Sequence, residues 1–107
     1  MASGRLGTPA DLSAATLTTV YTVPANTFAV ASVNVLNRGV SAVTVRIAIA
    51  DLDTPTVAEY IEYDVSIPAK AVLERTGLAL SATQKIVVYS SAIDVSVVAY
   101  GIETSAA

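Results

Sequence analysis

Residues 28–50 read FAVASVNVLNRGVSAVTVRIAIA, and the fold class turns on this stretch. Two extended, β-branched segments flank Asn37-Arg38-Gly39, a polar break with a glycine that reads as a hairpin or near-hairpin. In the second arm Val43, Val45, Ile47 and Ile49 fall on one face of a strand, and Thr44, Arg46, Ala48 and Ala50 on the other. Side chains alternate across a strand, so a period of two marks a sheet packed on one side. In the first arm Phe28 and Val30 lead one face, while Ala29, Ala31, Val33 and Val35 form the other. Both faces are more apolar than a solvated sheet needs, which predicts self-association as well as a core.

Outward from this stretch the same signature recurs. Residues 16–23 (TLTTVYTV) suit a pleated surface, and Pro24-Ala25-Asn26 ends them. Residues 51–55 (DLDTP) are a loop by composition. In residues 59–67 Ile61, Tyr63, Val65 and Ile67 alternate with Tyr60, Glu62, Asp64 and Ser66, and Pro68-Ala69 then turns the chain. Residues 71–76 start another strand, Gly77 predicts a bulge or bend before residues 78–80, and residues 85–90 and 94–102 form the last two strands. Seven or eight short strands at ~8–12-residue spacing predict an all-β, antiparallel sandwich, jelly-roll or immunoglobulin-like, with the strand order open. The sandwich is expected over residues 16–103, with a short mobile tail at 104–107. Residues 1–15 read as an extended arm in which Gly4, Gly7 and Pro9 oppose regular structure. Its Leu6 and Leu12 are expected to dock on the domain or on a neighbouring subunit, unless the terminus is simply frayed.

At 107 residues the chain is one domain. Its hydrophobic fraction is 53% and its charged fraction only 14%, against ~25% for an ordinary domain. Alanine accounts for part of this, but valine and isoleucine exceed what one small core holds, which points to surface covered by something else. The net charge is −3 and the six Lys and Arg are scattered singly, which argues against nucleic acid as a partner. There is no cysteine or histidine, so no thiol nucleophile, disulfide framework or histidine-based metal site is available. No run approaches the ~18 apolar residues of a membrane helix, and a transmembrane barrel lacks its aromatic girdles, so no membrane partner is expected.

For chemistry one acidic cluster stands out: Asp51, Asp53, Glu59, Glu62 and Asp64, with no basic residue among them. Asp51 and Asp53 could ligate calcium, but the EF-hand pattern is missing. Glu62 and Asp64 share a predicted strand face, and neighbours on one strand do not bracket a glycosidic bond. A solvated acidic face is the simpler account. The five tyrosines do not share one predicted face, which argues against a sugar platform. The chain is therefore expected to be no enzyme and to need no cofactor. Arg46, alone in an apolar strand, reads as a rim residue or as an inter-subunit partner for a carboxylate. With Leu6, Leu12, Phe28, Tyr60 and Glu62 it makes up the expected interface.

The strings MASGRLG, DLSAAT, TVYTVPA, VNVLNRG, AEYIEYD and VLERTGL together resemble a family of short virion structural proteins of tailed bacteriophages, above all cyanophages. The resemblance runs from Met1 to about Glu103 and carries no catalytic motif. It implies a protein present in many copies in the virion, assembled in the host cytoplasm. It further implies a homo-oligomer, by analogy a trimer, in contact with the major capsid protein or other virion proteins. A capsid decoration protein bridging capsomers is the leading expectation. The alternative is a tail, neck or fibre component, including a receptor- or glycan-binding module.

Overall fold

A computed structural model describes residues 3–105. Eight strands form: β1 (Ser3–Leu12), β2 (Thr18–Thr22), β3 (Thr27–Asn37), β4 (Val43–Ala50), β5 (Tyr60–Ile67), β6 (Val72–Leu80), β7 (Lys85–Ser90) and β8 (Val95–Ser105). Among the described residues the one helical piece is a single 3-10 turn, Val57–Glu59. Two four-stranded antiparallel sheets result, ordered β1-β8-β3-β6 and β2-β7-β4-β5.

Within that order β1 pairs with β8, β2 with β7, β3 with β6 and β4 with β5. The first half of the chain is thus a nested antiparallel partner of the second half, rolled over into two layers. That is the jelly-roll arrangement, one of the two topologies the sequence leaves open.

Alternation places the core. Val43, Val45 and Ile47 from β4 meet Ala29, Ala31, Val33 and Val35 from β3 between the sheets, all buried as the period of two predicts. The outer face of β4 is not bare: Ala48 and Ala50 join Val87 in a small second cluster beneath Leu17 and Tyr60. The apolar outer face of β4 is thus covered in part within the chain itself.

Three sequence expectations are corrected. β3 and β4 are not a hairpin, because each is a central strand of a different sheet and residues 38–42 form the corner between them. The corner is pinned by the buried Asn37 amide, whose Nδ2 donates to the carbonyls of Ser41 (2.8 Å), Ile67 (3.0 Å) and Pro68 (3.2 Å). Its Oδ1 accepts the Gly39 N–H at 2.9 Å. The N-terminal arm, in turn, is an edge strand, and the sandwich begins at Ser3 instead of residue 16. Proline is tolerated there because Pro9 lies in a bulge between Leu6 and Ala10, where no ladder donor is needed. Gly7 supplies the positive φ in that bulge, and a Cβ on it would sit 2.1 Å from the Val20 carbonyl oxygen. Finally, the tail as far as Ser105 is the end of β8, paired with the start of β3. Met1 and Ala2 of the arm and Ala106 and Ala107 of the tail lie outside the described residues.

The register shows how the edges are treated. Every pairing of an edge strand carries a shift: β1 with β8, β2 with β7, β6 with β3 and β5 with β4. The two pairings between central strands, β3–β8 and β4–β7, carry none. The predicted Gly77 bulge is one of these edge irregularities, with φ of +68°. Bulges twist an edge away from the flat template that another strand needs, so they oppose sheet extension by a partner on all four edges.

Tyr21 closes the β1–β2 side of the sandwich. Its ring is buried and its hydroxyl donates to Glu103 Oε2 at 2.6 Å. Burial foremost, and then the Glu103 carboxylate, push the phenol above its ordinary value near 10. A phenol raised in the folded state favours folding fully below pH 10, and that contribution is lost as pH climbs beyond it. Tyr21→Phe should therefore flatten the alkaline fall in stability, read as denaturant midpoints compared between neutral pH and pH above 10. An unchanged alkaline limb would show that Tyr21 does not cause it.

Candidate functional site

The outer face of the β2-β7-β4-β5 sheet gathers the aromatic residues around Arg46. In β5 the register to β4 shifts between Val45 and Ile47, and Asp64 adopts a φ of +52°. This bulge inserts a residue and turns Tyr63 out to solvent, off the face that strict alternation gave it with Ile61, Val65 and Ile67. The Arg46 guanidinium then lies 4.2 Å from the Tyr63 ring centroid and 4.7 Å from that of Tyr89. Tyr60 meets Tyr63 edge-on at 5.1 Å. Arg46 Nε donates to Asp64 Oδ1 at 2.7 Å and Nη2 to Oδ2 at 3.3 Å.

Three of the five tyrosines thus share a face that the sequence did not show, and the bulge is the reason. The carboxylate that Arg46 meets belongs to its own chain. A planar guanidinium between two rings and a carboxylate is held by stacking and by two hydrogen bonds together. Arg46→Lys should fail to restore what Arg46→Ala removes, since an ammonium matches neither the fork nor the stack. The expected readout is faster amide hydrogen exchange confined to residues 62–66 in both variants. Protection equal to the unaltered chain in the lysine variant would show that charge alone suffices.

The other expected interface residues divide. Leu6 and Leu12 are buried in the core of their own domain. Glu62 faces Arg75 of β6 at 3.5 Å, a bridge across the open side between the two sheets. Tyr60 is half-buried over the small second cluster. Phe28 is exposed, and with it Val30 and Ile102, which stand opposite each other on β3 and β8.

Sequence reading missed the loop tips. At one end of the sandwich the residue 38–42 corner exposes Val40 (86%) and the β7–β8 loop exposes Ile93 (63%). A depression of about 190 Å³ lies between them, floored by Asn37 and Val43. At the opposite end the β4–β5 loop exposes Leu52 (70%) and Val57 (89%). That loop is braced by Glu59, whose carboxylate accepts the Thr56 N–H at 2.8 Å and the Asp51 N–H at 3.1 Å. These two bonds hold its pKa below the usual carboxylate value. Isolated apolar residues in loops give no periodic signal, so only the fold shows them grouped at two ends.

Among the described residues no group of three or more acidic side chains converges as a cation site, and no helix is long and apolar enough to cross a membrane. Comparison with protein-family models, with curated proteins and with solved structures finds no match to this chain.

Proposed function

We propose that this chain is a non-enzymatic structural protein of a tailed-phage virion, acting as a capsid decoration protein that bridges neighbouring capsomers. The observation that carries the reading is apolar surface on loops at the two opposite ends of the sandwich. A module with contacts at both ends can lie across a joint and add buried area on each side. Repetition over a lattice lets modest contacts count, because each end docks at high effective concentration once the other is bound. Blunted sheet edges support the same reading, since they keep a β-rich chain from polymerising through its strands before it reaches the particle. The resemblance to phage virion proteins supplies the setting, the virion, and the partner, the major capsid protein. The jelly roll by itself is a fold-level analogy, because lectin and cupin domains share it.

The clustering of Tyr60, Tyr63 and Tyr89 favours a second reading, a glycan- or receptor-binding module of the tail or fibre. Copy number per particle, from quantitative mass spectrometry of purified virions, separates the two: hundreds of copies support decoration, and a handful support the tail or fibre. The bridging geometry is tested by rebinding to particles that lack the protein. Paired charge substitutions at either end, Val40→Asp with Ile93→Asp or Leu52→Asp with Val57→Asp, should each lower bound copies about tenfold or more at fixed concentration. Full binding by both paired variants would overturn the two-ended contact.

A further inference from the structure

We propose that the outer face of the β1-β8-β3-β6 sheet binds a second copy of this chain, face to face, about a two-fold axis running along the strands between β3 and β8.

The edges are blunted against strand addition by their bulges, which favours a sheet contact through a face. The outer face of the other sheet is largely occupied, by the Arg46–tyrosine cluster and by Leu17 and Tyr60 over their small core. Among the described residues, the outer face of the β1-β8-β3-β6 sheet carries no such cover. Phe28, Val30 and Ile102 are between 41% and 52% exposed there, contiguous through the Val30↔Ile102 and Phe28↔Thr104 pairings.

Charge decides what fits this face. Arg5 on β1 stands opposite Tyr100 of β8, is exposed, and forms no ion pair among the described residues. On the far side of the sheet, Glu74 of β6 accepts a hydrogen bond from the Tyr100 hydroxyl. It is paired with Asn34, two residues along β3 from the Ser32 that faces Tyr100. The Tyr100 contact therefore draws the carboxylate toward the row of Arg5. A lone cation and a carboxylate thus flank the apolar centre on opposite sides.

A two-fold axis along the strands exchanges the two sides of the sheet. It sets Ile102 against Val30 of the partner subunit and Arg5 against the partner's Glu74, and each contact occurs twice. No other occupant is called for by this pattern, because the face complements itself in sign across its apolar centre. Three-fold order, implied by the resemblance, needs two different patches on each chain and does not use this symmetry.

Four strands at ~4.8 Å spacing and about eight residues of usable length give on the order of 500 Å² per partner. That is the low end for a specific interface, so a dissociable dimer is expected, formed at tens of micromolar.

The test is a charge exchange on the isolated protein, independent of any particle, so its failure leaves the decoration reading standing. Sedimentation equilibrium at tens of micromolar should give twice the chain mass for the unaltered protein. Arg5→Glu alone and Glu74→Arg alone should each be monomeric, since every pair in their homodimers is like-charged. Mixed in equal amounts they should regain twice the chain mass, since both pairs in the mixed dimer are then opposite in sign. Ile102→Ser, an exposed site that leaves the charges in place, should weaken dimerisation about tenfold. Far-ultraviolet circular dichroism confirms that each variant is folded. A monomer or a trimer for the unaltered protein overturns the proposal, as do single variants that remain dimeric or a mixture that stays monomeric.

Discussion

Gly101→Ala should lower stability by about 4 kcal/mol, combining backbone strain with a steric clash, enough to bring a domain of this size near its unfolding limit. Gly101 sits in β8, hydrogen-bonded on both sides, opposite Ala31 of β3 and Gly4 of β1. Its φ is +149°, and a Cβ there would lie 2.1 Å from the Val30 carbonyl oxygen and 2.9 Å from the Ala31 Cα. Both near atoms are backbone of a central strand with a neighbour on its other side, so neither can step aside. Gly77→Ala is the matching control. Gly77 also has a positive φ, but nothing lies within 4 Å of its added Cβ, and it sits in an edge bulge. Only the conformational cost remains there, about 1–2 kcal/mol. Thermal melts should place the Gly101 variant some ~15–30 °C below the unaltered chain and the Gly77 variant much closer to it. Equal melting of the two would mean that β8 can straighten at Gly101 without loss.

That contrast bears on what the sequence could show. The faces of β3 and β4 were legible, because Val43, Val45 and Ile47 alternate with polar or small residues and one sheet face is buried against the other. Gly77 was legible as a bulge, since a glycine inside a β pattern has few other uses. The partners of these strands were not. Asn37-Arg38-Gly39 is a local turn signal, and the roll-up that sends β3 to β8 and β6 is non-local, decided by how the two halves of the chain nest. Asp64 hides its effect for a related reason. One residue in the left-handed region shifts the alternation beside it, so Tyr63 leaves the face of Val65 and Ile67 and is exposed. Phe28 and Val30 were visible as an apolar pair, but Ile102 and Tyr100 join them only through the β3–β8 register.

Asn37 shows how a residue read as part of a turn holds the roll together. At the end of β3 its amide spans two crossings between the sheets: the corner to β4, through Ser41 and Gly39, and the passage from β5 to β6, through Ile67 and Pro68. Removing it strands the buried Ile67 carbonyl, two part-buried carbonyls and the Gly39 N–H at once, so Asn37→Ala should cost about 3 kcal/mol, beyond what a single lost hydrogen bond explains. Asn37→Asp separates donation from shape. The carboxylate keeps the size and can still accept from Gly39, but when ionised it offers no proton to three carbonyl oxygens and brings a buried charge against them. At neutral pH it should be the more damaging change, by about 4 kcal/mol or more. Burial and those carbonyls favour the neutral acid, which has a proton to donate, so the folded pKa of the new Asp must lie above its unfolded value near 3.9. A group raised in this way is least harmful below the unfolded pKa and most harmful above the folded one. The Asp variant should therefore gain stability relative to the Ala variant as pH falls from 7 toward 4, where the carboxyl takes up its proton. Denaturant midpoints for both variants across that range test the assignment. Parallel curves would show that donation to the three carbonyls is not what Asn37 contributes.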